Sequence, residues 1–357
     1  KIGSGNYVEA VTQSTFAAFI GMLASMAVLA FYLWKTGMLT SILHKPSNAT
    51  EINGRALLWD TIREAIPFII TGSAIQLFQI IDQSTFIHVM GWISKYSKSE
   101  LLVQFAYFSA NPNKITMILI AVATSIGGVG IPLLTENYVK GDFRSAARLV
   151  QDNLSMLIFF ILPATIGAVL VAEPLYTVFY GKPDGLALGL FIFAMLQTII
   201  LSLYTVLAPM IQALFQNRKA IIYFLYGVGV KLVLQVPLIY LFKAYGPLIS
   251  TTIGLLIPIV LMYREIRKVT GLNPKNLFKR SLLSVILTVL MTLFVLVAEL
   301  LIGLFLHPSG RISSFVYIAL IGGIGLAVYG GLALKVRLMD RFIGSKAASL
   351  RRRFGIR

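Results

Sequence analysis

The chain has 357 residues, of which 57% are hydrophobic and only 13% charged, with a mean hydropathy of +0.82; a soluble globular domain is about a quarter charged, so too little polar surface exists here to coat a water-soluble particle. The formal charge of +17 does not point to nucleic acid, because Lys and Arg sit at the ends of apolar runs and are not interleaved with aromatics on one face. With no cysteine, disulfides and thiolate metal sites are excluded, and His44, His88 and His307 are too scattered to form a metal cluster.

A bilayer core about 30 Å thick needs about 20 apolar residues per helix. Nine stretches supply them: 11–34, 66–90, 115–134, 154–172, 186–215, 220–242, 247–263, 282–306 and 314–334. The expected fold class is therefore all-α integral membrane, with about nine transmembrane helices. The first stretch is too long, and too polar at its start, for a signal peptide. Between the first two, residues 47–63 carry Leu57, Leu58 and Trp59 among Glu51, Arg55, Asp60 and Arg63, which predicts an amphipathic helix along the membrane interface. Residues 94–113 form a long, aromatic-bearing connection expected to lie on the surface or dip into it. Asp142 is placed to cap a short helix reaching Arg148. Pro67, Pro132, Pro163, Pro209, Pro237 and Pro258 fall in or at the ends of apolar runs and predict bent helices. Gly322, Gly323 and Gly325 make a smooth face on the last span, suited to a helix or a lipid tail.

Basic residues decide orientation, because positive loops are retained in the cytoplasm. Alternate loops separate cleanly: 23 of the 31 Lys and Arg fall on the side that includes 35–63, 264–280 and the tail 335–357, and seven on the other. This predicts a cytoplasmic C-terminus and an external start. A first residue that is not Met, placed outside, leads us to expect further helices before residue 1.

Ionisable groups within a bilayer are costly and face a cavity or a partner. Lys231 lies about 11 residues into its span, roughly 16 Å deep at 1.5 Å per residue, and Gln235 is one turn further along the same face. Asp82 lies about 16 residues into its own span, so a direct pair with Lys231 requires tilted helices. Ser73, Gln76, Gln79 and Gln83 recur at helical spacing and predict a polar stripe turned inward. Glutamines offer donors and acceptors to sugars and amides, and lysines at 231 and 114 offer point charges for phosphate. Interhelical hydrogen bonding and a structural Asp82–Lys231 pair explain the same residues without a ligand. The ligand reading requires Lys231 and the glutamine row to share one internal chamber. HExxH, nucleophile-elbow, P-loop and paired-carboxylate motifs are missing, and the loops are too short for a catalytic domain, so no enzymatic activity is expected.

The run from Ile80 to Phe86, the segment Phe105-Ala106-Tyr107, the stretch Ile131-Pro132-Leu133-Leu134-Thr135-Glu136 with Lys140-Gly141-Asp142, and the Lys231 span with Pro237 and Tyr245-Gly246-Pro247 resemble the multidrug/oligosaccharidyl-lipid/polysaccharide exporter superfamily. Within it the chain is most similar to the MurJ-type lipid II flippases of Gram-positive bacteria. The resemblance implies fourteen helices in two six-helix lobes plus a final pair. Residues 1–34 would then end a first lobe and 35–65 would be a cytoplasmic linker. A second lobe would occupy 66–268, the final pair 280–337 and a basic tail 338–357. It further implies alternating access, in which a polyprenyl-pyrophosphate glycan such as lipid II crosses from the inner to the outer leaflet of the bacterial cytoplasmic membrane, without a cofactor. Asp82 would couple transport to H+, Na+ or the membrane potential, and Lys114 would stand where the family has a cavity arginine. The glycines at 322, 323 and 325 would border a groove for the lipid tail. Partners would be the glycolipid, the bilayer and cell-wall synthesis proteins. A lipid-linked polysaccharide flippase, a cation-coupled multidrug antiporter and a wall-assembly scaffold are the competing readings.

Overall fold

In hydrocarbon no water satisfies backbone N–H and C=O groups, so apolar segments close their hydrogen bonds internally as helices. The computed structural model, which describes residues 7–38, 53–306, 308, 310–340, 344, 347, 349, 351 and 352, contains only helices among its described elements. They are α1 (Tyr7–Lys35), α2 (Gly54–Gly72), α3 (Ala74–Ile93), α4 (Lys98–Phe108), α5 (Ala110–Val139), α6 (Phe143–Leu170), α7 (Ala172–Tyr180), α8 (Gly185–Ala213), α9 (Asn217–Phe242), α10 (Gly246–Thr270), α11 (Pro274–Gly303) and α12 (Arg311–Lys335). His44, His307, the first part of the expected interfacial helix and much of the basic tail lie outside the described residues.

Among the described residues, seven continuous helical runs are long and apolar enough to cross a membrane, and the bent pair α2 and α3 passes the same test jointly. One run, Asn217–Thr270, has 54 residues. That is about 80 Å of helix, far more than one bilayer, and it folds back on itself at the 3-10 turn Lys243–Tyr245. Each of the nine expected spans therefore has a helix. The expected interfacial helix instead begins at Gly54 and runs without interruption through Pro67 to Gly72. A break of 54° comes at Ser73 between α2 and α3 and not at a proline. Pro67, Pro132, Pro163, Pro209, Pro237 and Pro258 all lie inside helices.

Asp142 does cap a helix, its Oδ1 accepting from the Ser145 N–H at 3.0 Å, but that helix is the 28-residue α6 and not a short separate one. This backbone N–H holds the Asp142 carboxyl below its ordinary pKa. Asp184 caps α8 in the same way through Ala187 N–H. Ser97 and Glu100 form a capping box at the start of α4, so the expected long connection contains an eleven-residue helix with Leu101 and Phe108 buried.

The chain divides into two compact units, Lys1–Ile62 and Arg63–Arg357. In the first, Phe16, Met22 and Trp34 of α1 are exposed. In the second, α8 is buried along much of its length, with α5, α6 and α10 packed against it. The pair α11 and α12 covers α6 and α7, with Leu287, Met291, Val295 and Ile321 in its core. Closest of all are α9 and α10. A Cβ on Gly227 would stand 2.4 Å from the Gly254 carbonyl oxygen, and one on Gly254 would stand 3.0 Å from both Gly227 O and Lys231 Cβ. Glycine is required there by space, because the two backbones themselves touch.

Gly227→Ala is expected to destabilise the lobe by about 1–3 kcal/mol through overpacking, whereas Gly229→Ala, mid-helix with nothing within 4 Å of the added methyl, is expected to stabilise it by up to about 1 kcal/mol. Thermal unfolding of the purified variants in detergent checks the contrast.

Candidate functional site

Three helices bring their intramembrane polar residues to one point. Asp82 stands on the buried face of α3 with Phe78 and Phe86, Lys231 and Gln235 lie one turn apart on α9, and Ser250 and Thr251 are on α10. Lys231 Nζ donates to Asp82 Oδ1 at 2.7 Å and to Thr251 Oγ1 at 2.5 Å. Gln235 Nε2 donates to the same Asp82 oxygen at 2.8 Å and to Thr85 Oγ1 at 2.9 Å. Thr251 donates to Asp82 Oδ2 at 3.3 Å, and Ser250 donates to Gln235 Oε1. The ammonium also lies 5.1 Å from the centroid of Phe78. Lys231 is 0% and Gln235 1% exposed.

The direct Asp82–Lys231 pair, expected only with tilted helices, is thus formed. The break at Ser73 turns the chain by 54° before α3, which carries Asp82, begins. Lys231, expected to face a shared chamber, has its ammonium enclosed within the lobe between Asp82 and Thr251, and Gln235 is enclosed beside it.

The glutamine row behaves differently. At 3.6 residues per turn it lies about a third of a turn from Asp82, so one helix carries two polar faces with different fates. Ser73, Gln76 and Gln83 are exposed and Gln79 is half-buried. Gln79 also borders a small cavity of about 60 Å³ that reaches Asp82, with Asn113, Thr116, Gln197 and Thr251 among its other walls. A few waters fit such a volume. Asp82, one of the cavity walls, keeps 11% of its side chain accessible.

Lys114 is exposed at the entry of α5, its ammonium 5.1 Å from the centroid of Tyr180. Around it Asn111 donates to the Tyr176 hydroxyl at 2.7 Å, and the Tyr180 hydroxyl donates to Asn111 O at 3.0 Å. Gly322 and Gly323 face open space, while Gly325 packs on Val295 and Met291 of α11. Among the described residues, no group of three His, Asp or Glu could hold a metal ion.

Sequence reasoning passed over several tethers within apolar runs. Gln197 donates to Leu248 O at 2.7 Å and to Thr252 Oγ1 at 2.9 Å, joining α8 to α10. Gln212 donates to Pro67 O at 3.1 Å and to Thr71 Oγ1 at 2.7 Å, and the Tyr204 hydroxyl donates to Thr71 O at 3.0 Å, so the segment just before the bend is tied to α8. An amide in the middle of an apolar run was the available signal.

These features define a multi-pass membrane protein with a helical lobe held by an internal polar cluster and a second, open row of amides beside it. The family model for the lipid II flippase MurJ matches residues 4–320, and the chain belongs to that family. The lipid II flippase MurJ of Bacillus subtilis (strain 168) is 27% identical over an alignment of 352 residues that covers 97% of this chain and 64% of that protein. The chain therefore spans just under two thirds of the length of this relative.

Removing one partner of a buried pair leaves the other charged and unpaired. Lys231→Met is expected to destabilise the lobe by roughly 3–5 kcal/mol, and Asp82→Leu added to it to recover most of the loss. Melting temperatures of the single and double variants measure this.

Proposed function

We propose that this chain takes part in moving lipid II, an undecaprenyl-pyrophosphate-linked glycan, from the inner to the outer leaflet of the bacterial cytoplasmic membrane for peptidoglycan synthesis. Membership of the family over residues 4–320 carries the reading. The exposed row on α3 supports it chemically. A glycan and peptide headgroup presents hydroxyls and amides, and glutamine side chains both donate to and accept from such groups. Lys114, whose exposed ammonium lies over the Tyr180 ring, suits a pyrophosphate. In this reading Gln76, Gln79, Gln83 and Lys114 meet the headgroup, and Lys231 and Gln235 hold the lobe that carries them. Asp82 is already neutralised by Lys231 at 2.7 Å, so a cation that drove transport at this carboxylate would first have to displace the ammonium. Rocking of rigid lobes about the headgroup supplies alternating access. The chemistry is transfer between leaflets, with no covalent step.

Replacing Gln76, Gln83 and Lys114 together by alanine is expected to cut the lipid II reached by an externally added toxin by about tenfold, the loss of about 1.4 kcal/mol of headgroup binding, while the melting temperature stays unchanged. Wild-type accessibility in cells that depend on the variant would overturn the assignment of the row. Orientation follows from the positive-inside rule: a fluorescent protein fused after Arg357 is expected to mature in the cytoplasm, and alkaline phosphatase inserted after Lys182 to be active outside.

A further inference from the structure

Near the start of α5, Lys114 carries an exposed side chain that forms no salt bridge among the described residues. Its contact is aromatic instead: Nζ lies over the ring of Tyr180, 5.1 Å from the centroid. Tyr180 is the last residue of α7, and the chain turns directly after it at Gly181, whose φ is +88°.

The ring is held from two sides. Its hydroxyl donates to Asn111 O at 3.0 Å, one turn before Lys114 on the same helix, and its centroid lies 5.1 Å from that of Tyr176. Tyr176 is fixed in turn: Asn111 Nδ2 donates to its hydroxyl at 2.7 Å, and its ring meets Phe191 of α8 edge-on at 5.4 Å. Tyr176 is buried, so this aromatic unit is rooted in the packed lobe while its last ring reaches the lysine.

A lysine side chain is a point charge on a flexible four-carbon stem, and holding it in one place costs conformational entropy. A carboxylate partner would hold it but would also offset its charge. An aromatic face holds it through the ring quadrupole and leaves that charge uncompensated. The carboxylate nearest to Tyr180 along the chain, Asp184, is engaged elsewhere: it accepts from Ala187 N–H at 2.7 Å and from the Tyr107 hydroxyl at 3.3 Å. We propose that Tyr180 is a positioning residue for headgroup binding, its fixed ring holding the Lys114 ammonium in place for the pyrophosphate. This role rests on the reading of Lys114 as a pyrophosphate contact.

The test is a double-mutant cycle, read as the lipid II reached by an externally added toxin in cells that depend on the variant, at equal amounts of membrane protein. Tyr180→Leu is expected to lower it by about threefold, the loss of an exposed cation–π contact. Tyr180→Phe keeps the ring and is expected to retain the larger part. In a Lys114→Ala background Tyr180→Leu is expected to cost nothing further, whereas a loss of packing alone would be the same in both backgrounds. An equal loss in the two backgrounds, or one as large with Tyr180→Phe, would overturn the positioning role. A loss with Lys114→Ala that Tyr180→Leu does not reproduce would overturn that role and leave the lysine contact standing; no loss with Lys114→Ala would overturn both.

Discussion

A full positive charge and a full negative charge, enclosed together between three helices, set the conditions under which the lobe can stand. Each ion pays several kcal/mol to leave water, and only close pairing with further hydrogen bonds compensates it. Lys231 and Asp82 meet that requirement through Thr251, Gln235, Thr85 and Ser250, which come from the same three helices. Separating α3 from α9 and α10 would strand both charges in an apolar interior. The glycine contact between α9 and α10 acts in concert with the pair, because it brings the α9 backbone close enough to α10 for the ammonium to reach Thr251.

Rigidity on one side of α3 gives meaning to the polarity on the other. The exposed amides are held in register by a helix whose buried face is fixed by charge, and whose preceding turn is anchored to α8 through Gln212 and Tyr204. A headgroup site needs rigid elements to hold its contacts in place. The bend at Ser73 sits between these two anchorages, where α2 stops and the polar row begins. Polar residues on one transmembrane helix thus divide into those that hold the lobe and those available to a ligand, although all of them belong to the same run of sequence.

The final pair follows a different logic. It joins the lobe through apolar packing and through Tyr329, whose hydroxyl donates to Phe159 O at 2.8 Å. Its charges gather at the loop end, where α11 begins and α12 closes. An apolar shaft with a basic end matches a lipid leaflet, which is hydrocarbon inside and phosphate at its face.

The sequence by itself determined that the chain lives in a membrane, where its nine spans run, which loops carry the positive charge and to which family it belongs. Those properties are local or additive: hydropathy over about twenty residues, charge in a loop, a motif along a strip of chain. It also marked Asp82, Lys231, Gln235 and the glutamine row as the polar residues that matter, because a charge or amide in an apolar run is visible without a structure. Only the tertiary structure decided which of them meet. Asp82 and Lys231 are 149 positions apart, and the helix that carries Asp82 follows a 54° turn at Ser73 that no proline announced. Likewise Gln197, Gln212 and Thr251 show their role only when a carbonyl or ammonium from another helix comes within 3.1 Å. A hydrogen bond is a short-range interaction between two surfaces, and the pattern along a single helix says which face is polar without saying what faces it.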